Sequence, residues 1–253
     1  MLLLFSYFTS PFSPPSARHY NATLSIWLSV DPMADKYPGV SPYTYCANNP
    51  VRLVDPNGRE IWIVGEDGNK YQYFNGKLYT SDGEVCSVTK GSFEESVLNN
   101  LDVLRSTKIG GQIIRGLETC EDKVTISDAN QRSSESGKNE FILTGTLTWI
   151  SSGGSVQTTN GERCDPITNL GHELGHAYDY FVEKIPKNQL KMKINGCDVT
   201  EWRAVYYENR MRKELGLPYR TGYRITESNP ENGQEKTTFT KMLNQRGEPI
   251  KIW

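Results

Sequence analysis

Two of the chain's three histidines stand four residues apart in NLGHELGHAYDYF, with a glutamate directly after the first. On a helix, positions i and i+4 lie one turn apart on one face, so His172 and His176 would aim their imidazoles at a common point. Neutral imidazole suits zinc, which lowers the pKa of water toward neutrality. Glu173 stands beside the pair, placed to orient such a water and take its proton. The pattern is short, and chance gives it in on the order of one chain in a hundred, on an ordinary amphipathic helix. A catalytic zinc site needs a third protein ligand and an open fourth position, so the third ligand decides between the readings.

Asp179 follows His176 by three residues on the same helical stripe. Ligands strung up one straight helix cannot converge, because seven residues span about 10 Å. Asp179 is therefore expected behind the ligands or on the helix surface. Glu201 is the stronger candidate. It opens EWRAVYYENRMRKELG, a second helical run whose small Ala204 would let two helices come close. The stretch between His176 and Glu201 is long enough to turn the chain and lay the second helix on the first. A competing role makes Asp198 an N-cap, with Glu201 reaching back as the partner in a capping box. Glu208 lies two turns further along. The expected set is His172, His176 and Glu201 around Zn2+, with Glu173 as base. Tyr219 and Tyr223, in LPYRTGYR, are candidate donors to the tetrahedral oxyanion, with packed loop aromatics as the plainer reading. Asn209 and Arg212 are either partners behind the ligands or surface residues.

Elements must bring these side chains together. EIWIVGEDGNKYQYFNGKLYTSDGEV alternates apolar and polar residues around DG and NG turns, which predicts one or two hairpins. SFEESVLNNLDVLRS and KIGGQIIRGLE carry aliphatics at helical spacing, with Ser92 as N-cap and Glu95 completing a capping box. KVTISDA and NEFILTGTLTWIS are strand-like, with SSGGS closing the second. Two helical stretches follow, about 166 to 184 and 198 to 215. Gly175 costs about 1 kcal/mol within its helix and would allow another element close. The expected class is α+β, with a mixed or antiparallel sheet and two active-site helices.

GHELGHAYD followed by EWRAVYYENRMRKELGLPYRTGY resembles the zincin metallopeptidases of the M91 type, found among secreted bacterial effectors. The resemblance is dense from about 165 to 223 and thin before. It implies zinc at His172, His176 and Glu201, with Glu173 as base. It also implies that the strand near 140 to 150 forms a sheet edge on which an extended peptide would lie.

Upstream, ARHYN, WLSVDP, KYPGVSPYTYCANNPV and DPNG closely resemble the end of the Rhs/YD-repeat core of bacterial polymorphic toxins. In that family the core ends at a DPxG motif, where the protein cleaves itself and frees a C-terminal toxin. Asp55, Pro56, Asn57 and Gly58 match it. Arg59 departs from the apolar residue usual next, and the preceding repeats are missing, which puts self-cleavage here in doubt. The expected organisation is an unassigned segment 1–16, an Rhs-core remnant 17–59 and a peptidase domain 60–253.

Charge adds little: 28 basic and 30 acidic side chains nearly cancel, with no basic block to suggest a nucleic-acid surface. The five cysteines form no CxxC pair, which argues against a cysteine zinc site. Cys164 and Cys197 flank the motif helix and are read either as a bridge or as free thiols. The apolar start MLLLFSYF lacks the positive region of a secretory signal and is too short to span a bilayer; it reads as a ragged start. His19 is read as a turn residue. The leading expectation is a zinc endopeptidase at the tip of an Rhs-type toxin. It would be cytoplasmic before export, act on a protein of a target cell, and have a cognate immunity protein as a further partner. The alternatives are a non-enzymatic orphan remnant or interaction module, and a zinc hydrolase with a non-peptide substrate.

Overall fold

The computed structural model describes residues 61–81, 83–120, 122–130, 139–228 and 235–253, with 20–21, 26–30, 41 and 43. The chain divides into two compact units, Met1–Gly58 and Arg59–Trp253. In the first, β1 (Tyr20–Asn21) pairs antiparallel with β2 (Ile26–Trp27). His19, the DPNG motif and Arg59 lie outside the described residues.

The second unit opens with β3 (Ile61–Val64), β4 (Lys70–Phe74) and β5 (Lys77–Tyr79), an antiparallel meander that realises the expected hairpins. Asn75 and Gly76 both take positive φ at the β4–β5 turn, which is why Asn-Gly stands there. Next come α1 (Phe93–Ser106) and α2 (Lys108–Thr119). Ser92 caps α1 by accepting from the Glu95 N–H at 3.2 Å. Glu95 answers one residue early, taking the Gly91 N–H at 2.6 Å, so the expected box is displaced by one position.

After the helices, β6 (Val124–Asp128) joins β3 in parallel. The run expected as one strand near 140–150 is two, β7 (Glu140–Ile142) and β8 (Thr146–Trp149), paired antiparallel. Gly145 reverses the chain between them at φ 88°, where a side chain would collide with the Lys123 carbonyl. The sheet order is β5-β4-β3-β6-β8-β7, a mixed sheet with β7 at one edge. Ile61, Ile63, Val124, Ile126, Leu147 and Trp149 form its buried face, against Val97, Leu101, Ile113 and Leu117 of α1 and α2. β3 alternates buried and half-buried residues, the period-two pattern of a strand covered on one face, whereas β6 and β8 also bury Ser127 and Thr148 on the other face.

A hairpin missing from the sequence reading follows: β9 (Ser155–Thr158) with β10 (Gly161–Cys164). Then comes α3 (Pro166–Ala177), with proline in its first turn, where no N–H partner is needed. The expected helix to 184 instead widens at Tyr178–Val182 into a π-helical turn closed by the Glu183 N–H on the Tyr178 carbonyl. After α4 (Lys187–Leu190), β11 (Lys193–Ile194) and β12 (Cys197–Asp198) lead into α5 (Val199–Glu214). A second unanticipated hairpin, β13 (Gly222–Ser228) with β14 (Glu235–Lys241), follows. A small core of Cys197, Trp202, Val205 and Met242, with Ile225 packed on it, ties this hairpin to α5.

α3 is buried around most of its circumference, so glycines let α5 approach. A Cβ on Gly171 would sit 2.6 Å from Met211 Sδ, and one on Gly175 3.0 Å from Tyr207 Cδ2 and 3.7 Å from Ala204 Cα. Gly171 and Gly175 are themselves i and i+4, one position before His172 and His176. The stripe that admits α5 therefore runs beside the stripe that carries the imidazoles. Among the described residues, no helix is long and apolar enough to cross a membrane. Cys86, Cys120, Cys164 and Cys197 are free thiols, so the Cys164–Cys197 bridge does not form.

Candidate metal centre

His172 and His176 leave α3 on one side, ring centroids 4.8 Å apart and nearly perpendicular. Glu201, in the first turn of α5, reaches back to both. Its Oε2 lies 3.2 Å from His172 Nε2 and its Oε1 3.6 Å from His176 Nε2. The Asp198 side chain makes no cap hydrogen bond, and the Glu201 carboxylate lies with the imidazoles instead. His172, His176 and Glu201 offer three donor atoms within 4.8 Å of one another. Donors about 2 Å from a tetrahedral ion stand about 3.3 Å apart, and both imidazole–carboxylate pairs already sit near that spacing. Two imidazoles and a carboxylate are a donor set that zinc accepts, so the residues fit the metal.

The second nitrogen of each ring is also engaged. His172 Nδ1 lies 3.1 Å from Glu208 Oε2, and His176 Nδ1 lies 2.8 Å from Thr200 Oγ1. A partner on Nδ1 fixes the ring and leaves Nε2 as the nitrogen that could face a metal ion. Glu208 is wholly buried and also takes Arg212 Nε at 2.8 Å and Arg220 Nη1 at 2.9 Å. Arg212 bonds Asp165, just before α3, at 2.8 Å. Behind His172 thus runs a charged network linking the start of α3 to the middle of α5 and to the segment beyond it.

That segment is clamped. Asn209 Nδ2 donates to the Arg220 carbonyl at 2.9 Å, and its Oδ1 accepts the Arg220 N–H at 2.7 Å. The Thr159 N–H meets the Tyr219 carbonyl and the Thr221 N–H meets the Gln157 carbonyl, both at 2.9 Å. Arg220 is therefore held against β9 as though in a sheet.

The electrostatics favour a cation. Burial opposes charge on His172, yet its bonds to Glu201 and Glu208 raise its pKa to about 9. Burial also works against an ionised Glu201, but His176 and the bonds to both imidazoles hold it well below the usual carboxylate range. Glu208 is held low too, Arg220 and His172 outweighing its burial. For Glu173 burial prevails, raising its pKa against the pull of His172 and His176.

Glu173 lines a hollow of about 300 Å³ with His172, Arg220, Tyr223, Asn169 and Asn139. Asn139 immediately precedes β7, so the hollow opens beside the sheet edge. The Tyr223 ring lies nearly parallel to His172, centroids 6.3 Å apart. Burial and the nearby Glu201 push its phenol pKa up, so it remains a hydrogen-bond donor at neutral pH. Tyr219 does not line this hollow; its backbone carbonyl is what the structure uses.

His172, Glu173, His176, Glu201 and Tyr223 are thus brought together, and Tyr219 is set apart. Asp179 is no surface residue: it is wholly buried and bonds Arg203 Nε and Nη2 at 2.6 and 2.7 Å, away from the imidazoles. Asn209 and Arg212 are likewise buried rather than on the surface. Arg220 and Thr200 escaped the sequence reading. Spacing signalled Glu208, seven residues after Glu201 on the same helical stripe; nothing local signalled Arg220.

Residues 83–201 match the family model Peptidase_M91, described as effector protein. The likeness is to a peptidase-type effector and spans α1 to the first turn of α5. It includes His172, Glu173, His176 and Glu201 and ends before Glu208, Arg220 and Tyr223. No curated protein and no solved structure matches the chain.

Proposed function

We propose that the chain is a zinc-dependent endopeptidase of the zincin type, an effector that cuts a protein inside a target cell. The observation that carries this reading is the convergence of His172, His176 and Glu201 donor atoms beside Glu173. When bound, zinc supplies Lewis acidity toward a substrate carbonyl and toward water. Glu173 takes the proton of the attacking water and returns it to the leaving amine; burial raises its pKa and makes it a stronger base than an exposed carboxylate. Tyr223 and Arg220, in the same hollow, donate to the developing oxyanion. The outer edge of β7 offers backbone groups on which an extended substrate can add as a strand. The likeness of residues 83–201 to an effector peptidase supports the choice of peptide bonds as targets.

The Rhs-like residues 17–59 extend the reading to delivery: the peptidase is the C-terminal tip of an Rhs-type toxin, with an immunity protein guarding the producer. The division of the chain after Gly58 supports a separate toxin unit.

Metal analysis of the purified chain tests the centre. About one zinc per chain is expected, lost in His172→Ala. Glu173→Gln should keep the metal yet stop cleavage of a denatured protein substrate. No zinc after zinc-replete expression, or undiminished cleavage by Glu173→Gln, overturns the reading.

A further inference from the structure

A larger hollow, about 430 Å³, lies between α2, α5 and the π-helical turn, and shares no lining residue with the metal-site hollow. Its walls are aromatic. Trp253 meets Tyr206 and Tyr207 edge-on at 5.0 and 5.8 Å between centroids. The Arg203 guanidinium lies over the Trp253 ring at 4.1 Å. Arg203 is 6 % exposed, and Asp179 takes its Nε and Nη2 in a bidentate pair. It is thus a fixed, charge-compensated plane stacked with Trp253 rather than a free cation.

Around this floor stand Lys108, Arg210 and Lys251, against Glu183 as the lining carboxylate. None of the three has an ion pair among the described residues; Lys251 makes a cation–π contact with Trp253 at 5.5 Å. The whole chain carries a net charge of −2, so a concavity where three cations face one lining carboxylate stands out from its average, even with the Glu214 carboxylate on the Lys108 N–H at 2.7 Å. Such a concentration attracts anions. The volume falls in the range of small-molecule sites, about 300–1,000 Å³. An apolar patch would not need the cations, and a bare anion would not need stacked rings.

We propose that this hollow is a second ligand site, for a phosphorylated compound with a planar ring, of the nucleotide class. The ring packs against Trp253, with Tyr206 beside it at a near-right angle, and the phosphates lie among Lys108, Arg210 and Lys251. The site is independent of the metal centre and does not rest on the peptidase reading.

Isothermal titration of the full chain with ATP tests it, with adenosine and inorganic tripolyphosphate as separate probes. ATP should bind saturably and more tightly than either half, and more weakly as salt rises. Trp253→Ala should weaken ATP roughly tenfold while leaving tripolyphosphate unchanged. The triple variant of Lys108, Arg210 and Lys251 to Gln should abolish both; all three side chains are exposed, so the fold persists, as circular dichroism checks. No saturable ATP binding, equal affinity for ATP and tripolyphosphate, or indifference to either variant overturns the proposal.

Discussion

One buried carboxylate serves two masters: Glu208 Oε2 lies 3.1 Å from His172 Nδ1 and 2.9 Å from Arg220 Nη1. It holds a proposed ligand by its far nitrogen and a guanidinium of the cleft by its charge. Glu208→Gln keeps the shape and removes the charge. Metal affinity should fall about 10- to 100-fold, the usual cost of losing such a partner. A chelator competition titration reads this directly. Unchanged affinity would mean that the Glu208 charge does not tune His172 as a ligand.

Zinc should also stabilise the fold, because the unfolded chain has no formed site. At a free concentration 100 times the dissociation constant the gain is about 2.7 kcal/mol. Chelation should therefore lower the melting temperature of the wild type and leave that of Glu201→Ala untouched. Equal shifts in the two proteins would place the metal elsewhere.

The two tyrosines past α5 part company. Tyr223 shares the hollow with Glu173, whereas Tyr219 contributes its carbonyl to Thr159. Tyr223→Phe should lower kcat by about 10²–10³, the range for loss of an oxyanion donor, with KM little changed. Tyr219→Phe should be near wild type. A reversed order would return the donor role to Tyr219.

Gly175 sets the spacing of α3 and α5, and with it the reach of Glu201. Gly175→Leu drives several carbons into Tyr207 and Ala204 and should cost about 1–3 kcal/mol by overpacking. It should also lower metal affinity, because the displaced helix carries a ligand. Gly175→Ala asks Tyr207 to yield a few tenths of an ångström and gains helix propensity, so its stability change should be small. Full metal affinity in the leucine variant would show that the helix spacing does not govern the site.

The sequence made legible what is local or periodic. His172 and His176 announce a face of one helix, and Asn75-Gly76 announces a turn whose dihedrals few other pairs adopt. Glu201 was legible by elimination, as a carboxylate at the head of a second helix with Ala204 at the contact. What escaped depends on contacts distant in sequence. Arg220 matters because Asn209 and β9 fix its backbone, and no neighbour in sequence says so. β13 and β14 escaped because the exposed Lys236, Thr237, Thr238 and Lys241 leave β14 with little apolar alternation. Asp179 read as lying either behind the ligands or on the helix surface because its partner, Arg203, lies 24 residues away on another helix.

That pair supports the last expectation. Asp179 and Arg203 are both buried and doubly bonded, and Tyr207 Oη closes the cluster by donating to Asp179 Oδ1 at 2.7 Å. Asp179→Asn strands the guanidinium without its counter-charge, which costs about 3–5 kcal/mol when a buried pair loses one member. Replacing both, as Asp179→Leu with Arg203→Met, removes the charges together and should recover much of that loss. Urea melts of the two single variants and the double variant close the cycle. Bound zinc should stay near one per chain in all that remain folded, because the pair touches none of the three ligands. Additive losses would show that Asp179 and Arg203 stabilise the fold through separate contacts and not through each other.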